Sequence, residues 1–128
     1  MIGERLLRLE QRLGYQHKGV EKLFIGMNLA DAARLVGRIS GDSTCAYAWA
    51  YASAVEAACG ISPPPRALLL RALMLERERV ADHLGDLGAL GNDAALAFGF
   101  SQFMRLKEDW LRLNARFFGH RFMMDRIV

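Results

Sequence analysis

The chain has 128 residues, 52% of them apolar, and its 17 lysines and arginines against 14 acidic residues leave a formal net charge of +3. This length makes one domain with a real core, and so small a charge gives no argument for a nucleic-acid partner. No uninterrupted apolar run of about 18 residues exists, so no membrane-spanning helix is expected. The charged start Met1–Arg5 does not read as a signal peptide.

Residues Glu4–Leu13 are ambiguous between a helical stripe on Leu6, Leu9 and Leu13 and a short strand. From Val20 to about Ile39 the pattern is helical, with a break expected near Gly26-Met27-Asn28 and Asp31 as cap of the second piece. Asp42, Ser43 or Thr44 then caps a long alanine-rich helix that Gly60 stops near Cys59. Its small side chains allow close approach, which places it centrally. Pro63-Pro64-Pro65 is a stiff connector into a helix from Arg66 to about Leu87, with Leu69, Leu73, Val80, Leu84 and Leu87 as its apolar stripe. Gly85, Gly88 and Gly91 are expected to loosen its end. A last helix runs from Asp93, its N-cap, to Phe118 before Gly119, and His120–Val128 is expected to be extended. The fold class is mainly α: residues 1–128 form a single domain, a bundle of about four helices behind the N-terminal strand-or-helix segment.

Cys45 and Cys59 are the only cysteines. On one helix they stand roughly 21 Å apart, which excludes a mutual disulfide or a shared metal; buried packing is expected for both. Glu76, Arg79 and His83 share a helix face at spacings of three and four and read as an ion-pair network. His17 and Glu21 read as a capping interaction or a proton relay, His120 and Arg121 as docking contacts. The run of Phe98, Phe100, Phe103, Met104, Trp110, Phe117 and Phe118 reads as core or buried interface.

The segment Arg38-Ile39-Ser40-Gly41-Asp42-Ser43-Thr44 resembles the Arg-x-Cys-Gly-x-Cys run of nickel–iron hydrogenase large subunits, with serine at both thiol positions. Further matches follow in order: Leu13–Lys22, Ala54-Val55-Glu56, Pro63–Ala67, Glu76-x-x-Arg79 with His83, Asp93, Arg105 with Glu108, and Gly119–Phe122. From Gly14 to Val128 the chain thus resembles the family uniting these hydrogenases with the D-type large subunits of respiratory complex I (NADH-ubiquinone oxidoreductase). The branch it most resembles is that of formate hydrogenlyase and membrane-bound hydrogenase complexes, in a version without the active-site cysteines and as a middle-domain fragment.

The resemblance implies the following sites. Ser40, Gly41 and Ser43 stand at a degenerate metal or quinone site, or form a plain turn and helix cap. A hydroxyl stays protonated where a thiolate would bind nickel or iron, so no nickel–iron centre is expected. Cys45, two residues past the second thiol position, is turned by about 200° from it on a helix. Gly41 takes the place of a quinone-binding tyrosine. Asp93 aligns with an aspartate that partners a quinone-binding histidine, a possible proton relay. Lys18 and Arg38 match cations beside the terminal iron–sulfur cluster of a small partner subunit, where positive charge stabilises the reduced cluster.

The resemblance also implies the function. The parent would be a membrane-associated oxidoreductase passing electrons from iron–sulfur clusters to a quinone or another acceptor, peripheral on the cytoplasmic face of a bacterial inner membrane. Family activity includes NAD(P)H-linked turnover with NAD and quinone binding. With no Gly-x-Gly-x-x-Gly here, NADH would bind another subunit. The fragment itself is expected to hold no cofactor, to dock an iron–sulfur subunit and membrane subunits, and to self-associate in isolation. The alternative is a catalytically silent structural subunit.

Overall fold

In a computed structural model that describes residues 8–128, five helices follow one another: α1 (Val20–Leu23), α2 (Leu29–Val36), α3 (Thr44–Cys59), α4 (Pro65–Asp93) and α5 (Ala97–Phe118). No strand occurs among the described residues, so the mainly α expectation stands. Residues 8–13 are neither helix nor strand, and Glu4–Leu7 of the ambiguous segment lie outside the described residues.

The break before α2 falls where Gly26 takes a left-handed φ of 78°. Asn28, rather than Asp31, is the N-cap. Its side chain accepts from the Asp31 amide at 2.9 Å and donates to the Asp31 carboxylate at 2.6 Å, so the two residues close the helix start reciprocally. Helix α3 ends at Gly60, whose φ of 66° suits a left-handed C-cap.

Helices α4 and α5 run antiparallel, as their contacts show: Gly85 meets Lys107, Gly88 meets Met104 and Gly91 meets Phe100. The three glycines do not loosen α4, which continues through all of them to Asp93. They form the seam against α5. A Cβ on Gly88 would stand 2.8 Å from the Met104 methyl, and one on Gly91 3.0 Å from the Phe100 amide nitrogen. Glycine here lets two backbones approach closely, which offsets its cost in helix propensity.

Asp93 is therefore the last residue of α4 and not the cap of α5, which starts at Ala97 after Leu96 with no side-chain cap. The turn between them is made by Ala95 at φ 59°.

The buried face of α4 is Arg71, Met74, Glu78, Ala81, Gly85 and Gly88, at alternating spacings of three and four. The stripe expected from the sequence is largely outside it instead, with Leu69 72% and Leu73 49% exposed and Val80 and Leu84 half-buried. Two ionic residues sit on the buried face because each has a partner on α3. Arg71 grips the Glu56 carboxylate through both terminal nitrogens, at 3.0 and 2.6 Å. The core gathers Val36, Cys45, Ala48, Ala52, Met74, Met123 and Ile127, and α3 touches both α2 and α4, as its alanines suggested.

The tail His120–Val128 is a chain of turns rather than an extended segment. Met123 and Asp125 adopt left-handed φ values of 54° and 59°. These turns drive Met123 and Ile127 into the core at 2% and 4% exposure. The His120 ring holds the first turn, its Nδ1 accepting from the amides of Phe122 and Met124 at 3.2 Å each. Arg121 pairs with Glu108 at 2.6 Å. Both side chains serve the tail itself, where docking contacts were expected.

Candidate functional site

Arg38 leaves the end of α2 and turns into the tail. Its two terminal nitrogens each lie 2.7 Å from an oxygen of Asp125, a bidentate pair 87 residues apart in sequence, and one also donates to the Arg34 carbonyl. The pair raises the pKa of Arg38 and holds Asp125 below the usual carboxylate range. Lys18 donates to the carbonyl of Ile39, next to Arg38, at 3.3 Å. Lys18 and Arg38 thus stand at one turn.

That turn is closed by the Ser43 amide on the Ser40 carbonyl at 3.4 Å. Ser40 and Ser43 are half-buried, and Gly41 is exposed. A Cβ at Gly41 would meet nothing within 4 Å, so the backbone does not require glycine there. A cleft of about 470 Å³ opens beside it, lined among others by Asp42, Lys107, Glu108, Arg121 and Phe122.

None of the three residues proposed as cap of α3 makes a local side-chain cap. Ser43 stands at the cap position with no side-chain bond, and Thr44 donates instead to the Gly37 carbonyl at 3.0 Å. The helix start is capped from α4. Glu78, 8% exposed, accepts from the Cys45 amide at 2.6 Å and the Ala46 amide at 2.9 Å. Burial raises the Glu78 pKa, the two amides oppose that, and nearby Asp42 adds to it. One turn along α4, Asp82 is pushed up to about 6, first by burial, then by Asp42 and Glu78, with Lys107 pulling the other way.

The donor set does not fit a nickel–iron centre. Two serine hydroxyls replace the soft thiolates. Cys45 cannot substitute, because it is 1% exposed, its Sγ faces the Phe122 carbonyl at 3.9 Å, and burial and Glu78 push its thiol up to about 12. No group of three potential ligands that could hold a metal ion occurs among the described residues. Cys59 is exposed at the end of α3, contrary to the expected burial, because the helix ends there in solvent.

Asp93 is exposed and stands apart from this cluster. It lies 15 residues beyond Glu78 on α4, about 22 Å along the axis. His17 and Glu21 approach to 3.7 Å at the start of α1, with His17 Nδ1 accepting from the Gly19 amide, but the helix has no side-chain cap. Glu76, Arg79 and His83 form the expected surface network. The aromatic run divides: Phe98 and Phe117 are exposed, whereas Trp110 is half-buried, donating to the Arg77 carbonyl at 2.9 Å under the Arg77 guanidinium.

Sequence reasoning missed Glu78, Asp82 and Asp125. The one available signal was the repeat of acids at 78, 82 and 86, which puts three carboxylates on one face of a helix.

The family model for nickel-dependent hydrogenase matches residues 18–87, more than half of the chain. The chain belongs to the nickel-dependent hydrogenase family. Among curated relatives, formate hydrogenlyase subunit 5 of Escherichia coli (strain K12) is 37% identical over 112 residues, covering 87% of this chain and 20% of that protein. The D subunit of NADH-quinone oxidoreductase from Campylobacter hominis is 30% identical over 119 residues, 93% of this chain and 29% of that protein. Membrane-bound hydrogenase subunit alpha of Pyrococcus furiosus is 34% identical over 91 residues, 71% of this chain and 21% of that protein. The chain spans less than a third of the length of these relatives. No solved structure matches it. Within the family, residues 18–87 carry Lys18, Arg38, both serines and Glu78, while Asp93 and Asp125 lie beyond the matched stretch. Among the described residues no helix is long and apolar enough to cross a membrane.

Proposed function

We propose that the chain is the helical middle part of a large subunit in a membrane-associated oxidoreductase complex, hydrogenase-like or NADH:quinone oxidoreductase-like. It would help pass electrons from a partner's iron–sulfur clusters to a quinone or another acceptor, without a nickel–thiolate centre of its own. The observation that carries this reading is the Arg38–Thr44 turn, flanked by Lys18 and Arg38 while both thiol positions are serine. An iron–sulfur cluster bound by the partner supplies the electrons. This chain's contribution would be charge and position.

The two cations would not contribute equally. Asp125 neutralises Arg38, whereas Lys18 is held by a carbonyl and has no carboxylate within ion-pair reach among the described residues. Lys18 would then supply most of the field that favours a reduced cluster, and burying a cluster face against it would strengthen that field. Any NADH would bind another subunit.

The test is purification of the full-length protein in its native complex, assayed for NADH, hydrogen, formate and quinone turnover. Turnover linked to a quinone or another acceptor, together with a lower midpoint potential of the nearest cluster in Lys18→Met, supports the reading. Hydrogen turnover with nickel bound to this subunit overturns it.

A second reading is a catalytically silent subunit that docks the iron–sulfur partner. It is favoured by the exposed Asp93, about 22 Å along α4 from Glu78, and by the missing phenol at Gly41. On that reading Lys18→Met weakens assembly and leaves the cluster potential unchanged.

A further inference from the structure

Glu78 takes no part in the reading above, and it is the group that fixes where the Arg38–Thr44 run ends. The first intrahelical bond of α3 joins the Tyr47 amide to the Ser43 carbonyl. The amides of Cys45 and Ala46 precede it and have no carbonyl partner in their own helix, as at any helix start. A side chain of the N-cap residue often satisfies such donors, but Ser43 makes no such bond. Glu78 satisfies both from a different helix, and its charge complements the positive end of the α3 dipole.

We propose that Glu78 is a proton-responsive positioning residue: ionised, it holds the start of α3 and the Ser40–Ser43 turn in place, and on accepting a proton it lets that turn move. An ionised carboxylate accepts at both oxygens, whereas a carboxylic acid keeps one good acceptor and gains a donor that neither amide can use. Protonation therefore removes one of the two amide bonds and the charge on the helix end.

Other titratable groups stand beside Glu78. Glu78, Asp82 and Asp42 line one narrow space with Arg121, and the cleft beside it adds Lys107. The groups around Glu78 are Asp42 from the turn, the Cys45 thiol from α3, Asp82 from α4 and Arg121 from the tail, while Lys107 from α5 acts on Asp82. Half-buried Asp82 lies one turn from Glu78, between it and Asp86. Burial and the Asp42 charge both favour the protonated form of Glu78, so the change falls above the ordinary glutamate range. This device does not depend on which reaction the parent complex runs.

The test follows the amide resonances of the full chain by NMR from about pH 4 to about pH 8. The Cys45 and Ala46 amide protons should shift together along one titration. That titration should vanish in Glu78→Gln and move to lower pH in Asp42→Asn, an exposed substitution that keeps the test intact if Glu78→Gln fails to fold. Amides that do not titrate overturn the proposal, as does a titration unchanged in Glu78→Gln or in Asp42→Asn.

Discussion

Glu56 near the end of α3 and Glu78 opposite its start both bridge α3 to α4, and their acidities move in opposite directions. Glu56 meets the Arg71 guanidinium, which holds its carboxyl below the ordinary value of 4.5. Glu78 meets two neutral amides inside a buried space that also holds other carboxylates, and its pKa rises. The same side chain thus makes a clasp that yields only at low pH at one end of α3 and one that yields at higher pH at the other. Partner and burial together decide which: a full positive charge outweighs the milder desolvation of Glu56, whereas two backbone dipoles do not offset the deeper burial of Glu78 beside Asp42.

The largest effect should come from the apolar contact between the two clasps. Met74, 5% exposed, lies on the α4 face between Arg71 and Glu78. Met74→Ala should lower stability in denaturant unfolding by about 2–5 kcal/mol, loosening both clasps together. Next comes Glu78→Ala, which leaves two buried amides without an acceptor and should cost about 2 kcal/mol, while Glu78→Gln keeps one acceptor and should cost less.

The comparison sharpens further in the pH dependence. Asp82 has its pKa raised from 3.8 to about 6. The folded state therefore binds a proton more readily than the unfolded state, and stability falls as pH rises through the window from about 4 to about 6. Asp82→Asn should remove that fall and raise the melting temperature at neutral pH. Glu56 works with the opposite sign. Its stabilising contribution is present above 4.5 and lost as pH drops through its lowered folded value, so Arg71→Ala should flatten the acid limb and leave the Asp82 window alone. The smallest effect is expected for Gly41→Tyr. Its Cβ would meet nothing within 4 Å, and stability should change by no more than about 0.5 kcal/mol.

Much of this scaffold could be read from the residues. The alanine run predicted α3, Gly60 and Gly119 marked two helix stops, and the break at Gly26–Asn28 fell where glycine permits a left-handed turn. The α4 face was misread because its buried positions carry Arg71, Glu78 and two glycines, while most of its leucines face solvent. Periodicity assigns burial by hydropathy, and no local pattern shows that a charged side chain has a partner on another helix. The same limit applied at the site. The Arg38–Thr44 run was recognisable and its serines spoke directly to metal chemistry, but Asp125 and Glu78, which hold it, lie 87 and 40 residues from Arg38. Asp93 was read as a cap because it precedes a helix, whereas glycine packing carries α4 to that very residue.

Hydrogen exchange along α3 tests the contrast between its two ends most directly. The Cys45 and Ala46 amide bonds hold the Glu78 carboxyl lower than the same buried site would without them, so protonation favours their release. Protection of these amides, corrected for intrinsic rates, should fall as Glu78 takes up its proton, while amides near Glu56 keep theirs until pH falls below about 4.5. Equal loss of protection at both ends over the same pH range, or none at Cys45 and Ala46, would contradict the account.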